Sequence, residues 1–375
     1  MADPLSIRTL AARVFRYPLQ TPVVTSFGVM RERPMVLVRA EDADGVVGWG
    51  EAWCNFPAVG AEHRARLVNS ALASLVIGQR FAGPAEAFES LTAQTAVLAL
   101  QSGEPGPFAH AIAGIDIALW DLHARRAREP LWRMLGGTSG TVRVYASGLD
   151  PDDAVNVAEV KRREGYTAFK LKIGFGRDRD LRNLRALRQA LGVDAEVMAD
   201  ANQAWTLDAA IGMARRLEAF DLRWLEEPIR ADRPWSEWRT LRSSTAIPLA
   251  AGENIAGDAA FDAALAADAL AVIQPDIAKW GGFSRDLPLA RRVRAAGRRL
   301  CPHYLGGGIG LLASAHWLAA AGGDGLLEID ANPNPLRSSM CGPLATIHDG
   351  RASLTDAPGL GTEPDLALLE RYAVA

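Results

Sequence analysis

Cysteine is scarce in this chain of 375 residues: Cys54, Cys301 and Cys341 are all there are. Three widely spaced thiols exclude a disulfide framework, and no CxxC or Cys/His cluster is present to hold zinc. A reducing cytoplasm is the compartment this usage predicts. Apolar runs long enough to span a bilayer are lacking, and MADPLSIRTL has none of the basic-then-apolar layout of a signal peptide. Charge of one sign is not in excess either. Lys and Arg number 41 against 44 Asp and Glu, so there is no basic footprint for nucleic acid and no acidic tail. Apolar residues, by contrast, make up 49% of the chain. That is enough for a large core, and the length suits two domains or one barrel with an appendage.

Residues 1–135 read as an α+β unit. Residues 5–15 alternate like a strand, and 34–40 and 46–52 flank a turn at 42–45 as a hairpin would. Helical stretches follow at roughly 61–78, 84–100 and 107–127. The last contains HAIAGIDIALWDLHARRA, apolar at helical spacing, and stops just before Pro130. A glycine-bearing loop near 136–140 marks a boundary. From 141 to 330 the texture changes. VRVYAS, AFKLKI, AEVMAD, LRWLEE, PLAAGE, AVIQPD, RLCPHY and GLLEID alternate with amphipathic helical segments, the spacing of a β/α barrel. A doubly wound open sheet competes with this reading, but its glycine fingerprint is missing from SGLDPDDA after the first strand. The tail, 343–375, reads as an extended segment and loop that returns to the first domain.

In a parallel barrel the catalytic groups sit at the C-terminal strand ends. Here strands two to eight end in Lys170 and Lys172, Asp200 and Asn202, Glu226 and Glu227, Glu253, Asp276, His303 and Glu328. Neighbouring strands lie about 4.8 Å apart, so Asp200, Glu226 and Glu253 can converge on one point. Three carboxylates together repel unless a cation joins them, and an all-oxygen set suits magnesium or manganese. Glu227, one residue on from Glu226, points the other way and reads as supporting structure. Lys170 and Lys172 share a face, and their mutual repulsion makes one of them plausible as a neutral base. Asp276 beside His303 fixes an imidazole tautomer for proton transfer. His63, His110, His123, His316 and His348 lack such company and read as structural or surface. Gly306, Gly307 and Gly308 either cradle a phosphate at a helix N-terminus or simply give the backbone room. Chemically, this order of groups points to abstraction of the proton α to a carboxylate chelated by the metal.

The motifs KLK, DANQ, EEP, GEN and PDIAKWGG, with the His303 strand, IDIALWDLHAR and PLWRMLGG, resemble the enolase superfamily. Within it they are similar to the mandelate racemase subgroup of the mandelate racemase and muconate lactonizing enzymes. The resemblance spans nearly the whole chain. It implies an α/β fold, a modified (β/α)7β TIM-type barrel with an α+β capping domain. It implies one Mg2+ per subunit on Asp200, Glu226 and Glu253, with Lys172 and His303 as opposed bases. Asp276 would pair with His303, Lys170 would steady the substrate carboxylate, and Glu328 would be a donor to it. Asn202 matches a position that touches substrate or the metal's surroundings. Cycloisomerases and dipeptide epimerases of the family carry a lysine where Asp276 stands, and Lys279 reads as structural. Specificity would come from capping loops at 19–33 and 53–60, which hold Thr25, Phe27, Met30, Arg31, Arg33, Trp53 and Phe56. The arginines could meet a second carboxylate or hydroxyls, and the aromatics could equally be packing. The expected reaction is dehydration of an acid sugar or related hydroxy acid. The alternatives are a racemase or epimerase of a 2-hydroxy acid and, more remotely, a catalytically silent binding protein. The resemblance further implies a homo-oligomer, octamer or dimer.

Overall fold

The computed structural model describes residues 4–26 and 28–374. Its first part is a four-stranded antiparallel sheet in the order β3-β2-β1-β4. These are β1 (Leu5–Val24), β2 (Val29–Asp42), β3 (Val47–Ala52) and β4 (Arg80–Phe81). The β1–β2 hairpin is much longer than the alternation over 5–15 predicts. Pairing runs on to Val24↔Val29 after a register shift between Pro18 and Val23. Most of the expected loop 19–33 is therefore strand.

Three helices back this sheet: α1 (Gly60–Arg66), α2 (Pro84–Gln101) and α3 (Pro105–Ala127). Small residues set how closely α3 approaches. A Cβ on Gly48 would lie 2.2 Å from the Ala118 carbonyl oxygen, and one on Gly50 2.0 Å from that of Gly114. Strand alternation then assigns the faces. Gly48, Gly50 and Ala52 turn to α3, while Trp49, Glu51 and the following Trp53 turn to the second part of the molecule.

That second part contains eight parallel strands at all eight expected segments. They are β5 (Thr141–Leu149), β6 (Ala168–Lys172), β7 (Glu196–Asp200), β8 (Leu222–Glu226), β9 (Leu249–Ala251), β10 (Val272–Ile273), β11 (Arg299–Leu300) and β12 (Leu326–Asp330). Their order is β11-β10-β9-β8-β7-β6-β5-β12, with β13 (Arg351–Ser353) antiparallel on β5. The ring nearly closes, since the Leu326 amide meets Cys301 Sγ at 3.4 Å. One helix lies in each of the seven intervals between consecutive barrel strands. This is a (β/α)7β barrel with a separate antiparallel domain.

Its interior is layered. Tyr145, Ala168, Met198, Trp224, Ala250, Val272, Cys301 and Leu326, one from each strand or its end, form a dry cluster. Two residues on, alternation brings Ser147, Lys170, Asp200, Glu226, Gly252, Gln274, His303 and Glu328 to the next level. All of these except Gly252 are polar, and all are buried. A packed floor therefore supports a polar ceiling. The tail extends β5 with β13, then runs back to the first sheet, where the Val374 amide meets the Val14 carbonyl at 3.0 Å.

Candidate active site

The polar level opens on a cavity of about 300 Å³, lined from the barrel by Lys172, Asn202, Gln203, Glu253, Asn254, Lys279 and His303. From the cap come Val23, Val24, Thr25, Met30, Arg33, Trp53, Asn55 and Phe56. Lys170 lies beneath, fully buried, with Nζ 2.6 Å from Glu226 and 2.7 Å from Glu328. Lys172 Nζ is in contact with Asp200 Oδ2. Burial works against both ammoniums. The facing carboxylates outweigh it, and both lysines are held above their ordinary pKa. The neutral lysine expected from mutual repulsion is disfavoured here, because Asp200 outweighs the opposing effect of Lys170 on Lys172.

On the opposite flank, His303 Nδ1 is 2.8 Å from Asp276 Oδ2, and Nε2 is 2.5 Å from Glu253 Oε2. Burial disfavours an imidazolium, but Glu253, Glu328 and Asp276 raise the ring well above its usual value, so it carries a proton. Asp276 also accepts from the amides of Ala278 and Lys279, which fixes its direction. Glu328 is likewise an ion. Burial opposes its charge, yet Lys170 and His303 hold it below the usual carboxylate range. It accepts from Ser147 and from the Tyr304 amide. The donor role that the resemblance implies needs a protonated carboxyl, and this environment favours the ion.

The three expected metal ligands share the mouth, but they do not yet surround one point. Asp200 turns to Lys172, Glu226 to Lys170 and Glu253 to His303, and among the described residues no three His, Cys, Asp or Glu side chains form a ready metal cage. Charge balance nevertheless favours a cation. Asp200, Glu226, Glu227, Glu253, Asp276 and Glu328 face Lys170, Lys172, Lys279 and His303, so acids exceed bases. Burial, with nearby Asp200 and Glu328, pushes the Glu226 carboxyl up to about 7. Burial, Glu253 and Asp200 push Glu227 well above its ordinary value. Buried carboxylate oxygens short of positive charge are the donor set a hard divalent ion takes. The backbone is bent to present them: Asn202, Gln203 and Glu227 have φ of 42°, 65° and 39°, unusual for non-glycine residues.

Other expectations sort by position. Asn202 donates to Asp200 from its amide at 2.8 Å and lines the cavity beside Trp53. Phe27 lies outside the described residues. Arg31 is exposed and does not line the cavity. The register shift below it rotates the hairpin tip, and Arg33 points inward instead. Arg33 is spent on Asp330, 2.6 Å away in a buried ion pair, with Arg337 3.3 Å from the same oxygen. Lys279, read as structural, reaches the cavity. Its Nζ lies 2.7 Å from Asn254 Oδ1 and 4.8 Å from the centre of the Trp53 ring. The glycines at 306–308 cradle no phosphate, because the Glu51 carboxylate from the cap fills that helix N-terminus. His110 and His316 are pushed down to about 3, chiefly by burial, and stay neutral.

Sequence reasoning missed several neighbours. Trp224 and Gln274 donate to Glu226 Oε2 at 3.1 and 2.6 Å. Each lies two residues before a strand-end acid, so alternation could have found them. Asn254, which donates to both Glu227 oxygens and to Glu253, gave no such signal.

Comparison with known proteins agrees with this geometry. Residues 152–368 match the model described as Enolase C-terminal domain-like, and residues 8–136 match the Mandelate racemase / muconate lactonizing enzyme, N-terminal domain. D-galactarolactone cycloisomerase of Agrobacterium fabrum is 32% identical, with 96% of each chain covered. A crystal structure described as mandelate racemase/muconate lactonizing enzyme from Bordetella bronchiseptica RB50 is 57% identical. It superposes with a TM-score of 0.94 over 98% of this chain and 99% of that one. A racemase from Streptomyces coelicolor A3(2), solved with bound magnesium, is 31% identical with a TM-score of 0.89 over 98% and 100%. Curated relatives bear the names of dehydratases, cycloisomerases, racemases and synthases. No helix among the described residues is long and apolar enough to cross a membrane. The chain is an enzyme of the enolase superfamily and belongs to the mandelate racemase and muconate lactonizing enzyme family.

Proposed function

We propose that this enzyme dehydrates an acid sugar, removing the proton α to the carboxylate and expelling the β-hydroxyl as water. The observation that carries the reading is His303, its Nδ1 2.8 Å from Asp276 Oδ2, on the flank of the cavity opposite Lys172. Elimination needs a base at the α-carbon and an acid at the departing oxygen. Lys172 serves as the base once Asp200 turns from it, and His303 gives its proton to the leaving hydroxyl. Lys170 stays charged and steadies the substrate carboxylate. Asp200, Glu226 and Glu253 would hold Mg2+, which supplies the positive charge that binds the carboxylate and offsets charge growing on it. Asn55, Gln203, Asn254 and Asn332 line the cavity with amides suited to hydroxyl groups. Trp53, Phe56, Met30 and Leu305 give it an apolar wall. A ring oxygen on the β-carbon would leave by the same chemistry, which makes cycloisomerisation the second reading; full-length relatives of that name favour it.

Incubating a panel of mono- and diacid sugars with the enzyme and Mg2+ tests this. A 2-keto-3-deoxy acid should form, detected as its semicarbazone. No keto acid from the panel, together with loss of optical rotation from an aryl or alkyl 2-hydroxy acid, would replace dehydration by racemisation.

A further inference from the structure

His303 lies beyond the last paired residue of β11, Leu300, and its amide donates to the Pro275 carbonyl past the end of β10 at 3.1 Å. The cap holds the loop that follows it. Residues 51, 53 and 55 fall on one side of an extended segment, and each grips a loop that follows β10 or β11. The Glu51 carboxylate accepts from the Gly307 amide at 2.5 Å and the Gly310 amide at 2.9 Å, at the N-terminus of the helix Gly308–Ala321. The Trp53 amide donates to the Ala278 carbonyl at 3.1 Å. Asn55 Nδ2 donates to the Leu305 carbonyl at 2.6 Å.

The glycines of GGGIG are shaped to this grip. A Cβ on Gly306 would stand 2.3 Å from the Tyr304 hydroxyl and 2.9 Å from Glu51, and one on Gly310 would stand 2.1 Å from that hydroxyl. Tyr304, next to His303, is buried beside the Glu51 carboxylate, and its amide donates to Glu328. The loop from 303 to 310 is thus pinned at Glu328 by the barrel and at Glu51 and Asn55 by the cap.

We infer that Glu51, with Asn55, is a positioning residue of the reaction: the cap sets the place of the His303 ring through the backbone of residues 304–310. Neither side chain needs to move a proton. The inference rests on His303 being a reacting group only for its kinetic consequence.

The test uses the full-length protein with Mg2+, labelled with 13Cε1-histidine, whose six histidine signals are assigned by substitution. In Glu51→Gln and in Asn55→Ala, the His303 signal should shift or split while those of His63 and His348 stay in place. With an acid sugar the enzyme turns over, Glu51→Gln should lower kcat about tenfold and change KM less than twofold. Asn55→Ala keeps the test open should Glu51→Gln fail to fold. An unmoved His303 signal in the folded variants overturns the inference, as does movement of all six signals together, the mark of a purely structural role. The spectral arm needs no substrate, so failure of the dehydratase reading would leave it intact.

Discussion

Lys172 and His303 stand on opposite flanks of one cavity, and what holds each in place differs. Lys172 is the last residue of β6, in full register with Asp200 of β7. Its position follows from the sheet itself. His303 lies past the end of β11, where its amide meets the Pro275 carbonyl and the loop after it is held by side chains reaching from the cap. The cap meets the other flank too, but by different means: Arg33 pairs with Asp330 at the end of β12, and the Ser26 hydroxyl donates to the Asn202 carbonyl at 2.6 Å. The lysine thus belongs to the barrel, while the setting of the histidine is shared between domains. A change at residues 51–55 of the cap therefore reaches the loop after the histidine, while Lys172 keeps its place in the sheet.

The comparison breaks most visibly at the carboxylates between the flanks. Asp200→Asn should free Lys172, and Glu253→Gln should free His303. Each should lower both magnesium affinity and kcat/KM by about 100-fold or more, the upper range for groups that merely orient ligands. Titration with Mg2+ after chelation reads this, and unchanged affinity in either variant would remove that residue from the proposed metal set.

A smaller effect concerns the anchor on the Lys172 side. Arg33→Met leaves Asp330 buried with Arg337 as its remaining charged partner and Asn332 still donating to it. Breaking a buried pair costs roughly 3–5 kcal/mol, and the remaining arginine should keep the loss near the lower figure. Denaturant unfolding measures it. A loss below 1 kcal/mol would mean that Arg337 replaces Arg33 fully.

The smallest effect is a pH dependence on the His303 side. Asp116 of α3 accepts from the Ser284 amide and hydroxyl at the start of the helix Gly282–Ala295, joining the cap to the helix after β10. Burial pushes this carboxyl up to about 7 from 3.8, against the opposing effect of those hydrogen bonds. A folded pKa above the unfolded one means the folded state binds the proton more tightly. The stabilisation is therefore complete below about pH 4 and is lost as pH rises towards 7. Relative to Asp116→Asn, the wild type should lose about 2 °C or more of extra Tm between pH 5 and pH 8. Equal losses would show that Asp116 stays ionised throughout.

How much of this was legible in the sequence follows the same division. The barrel strands could be read because buried parallel strands are continuous apolar runs with polar residues at their ends, and alternation orders the interior. Asp200, Glu226 and His303 were each found that way. The cap resisted because its contacts are distant in sequence and depend on a local irregularity. Arg31 and Arg33 should share a face by period two, but the shift between Pro18 and Val23 separates them, and Asp330 lies 297 residues from Arg33. Glu51 gave no signal at all, since its partners are backbone amides, which leave no mark in a sequence beyond the glycines that make room. Ionisation states were also out of reach. That Lys172 and Glu328 are both charged depends on the identity of their nearest neighbours, which only the assembled ring defines.

Exchange of the α-proton of an acid sugar into deuterated solvent separates the two flanks most directly. Lys172→Ala should abolish both exchange and keto acid formation, whereas His303→Asn should lose the keto acid and keep the exchange. Exchange retained in Lys172→Ala, or lost in His303→Asn, would contradict a lysine base facing a histidine acid.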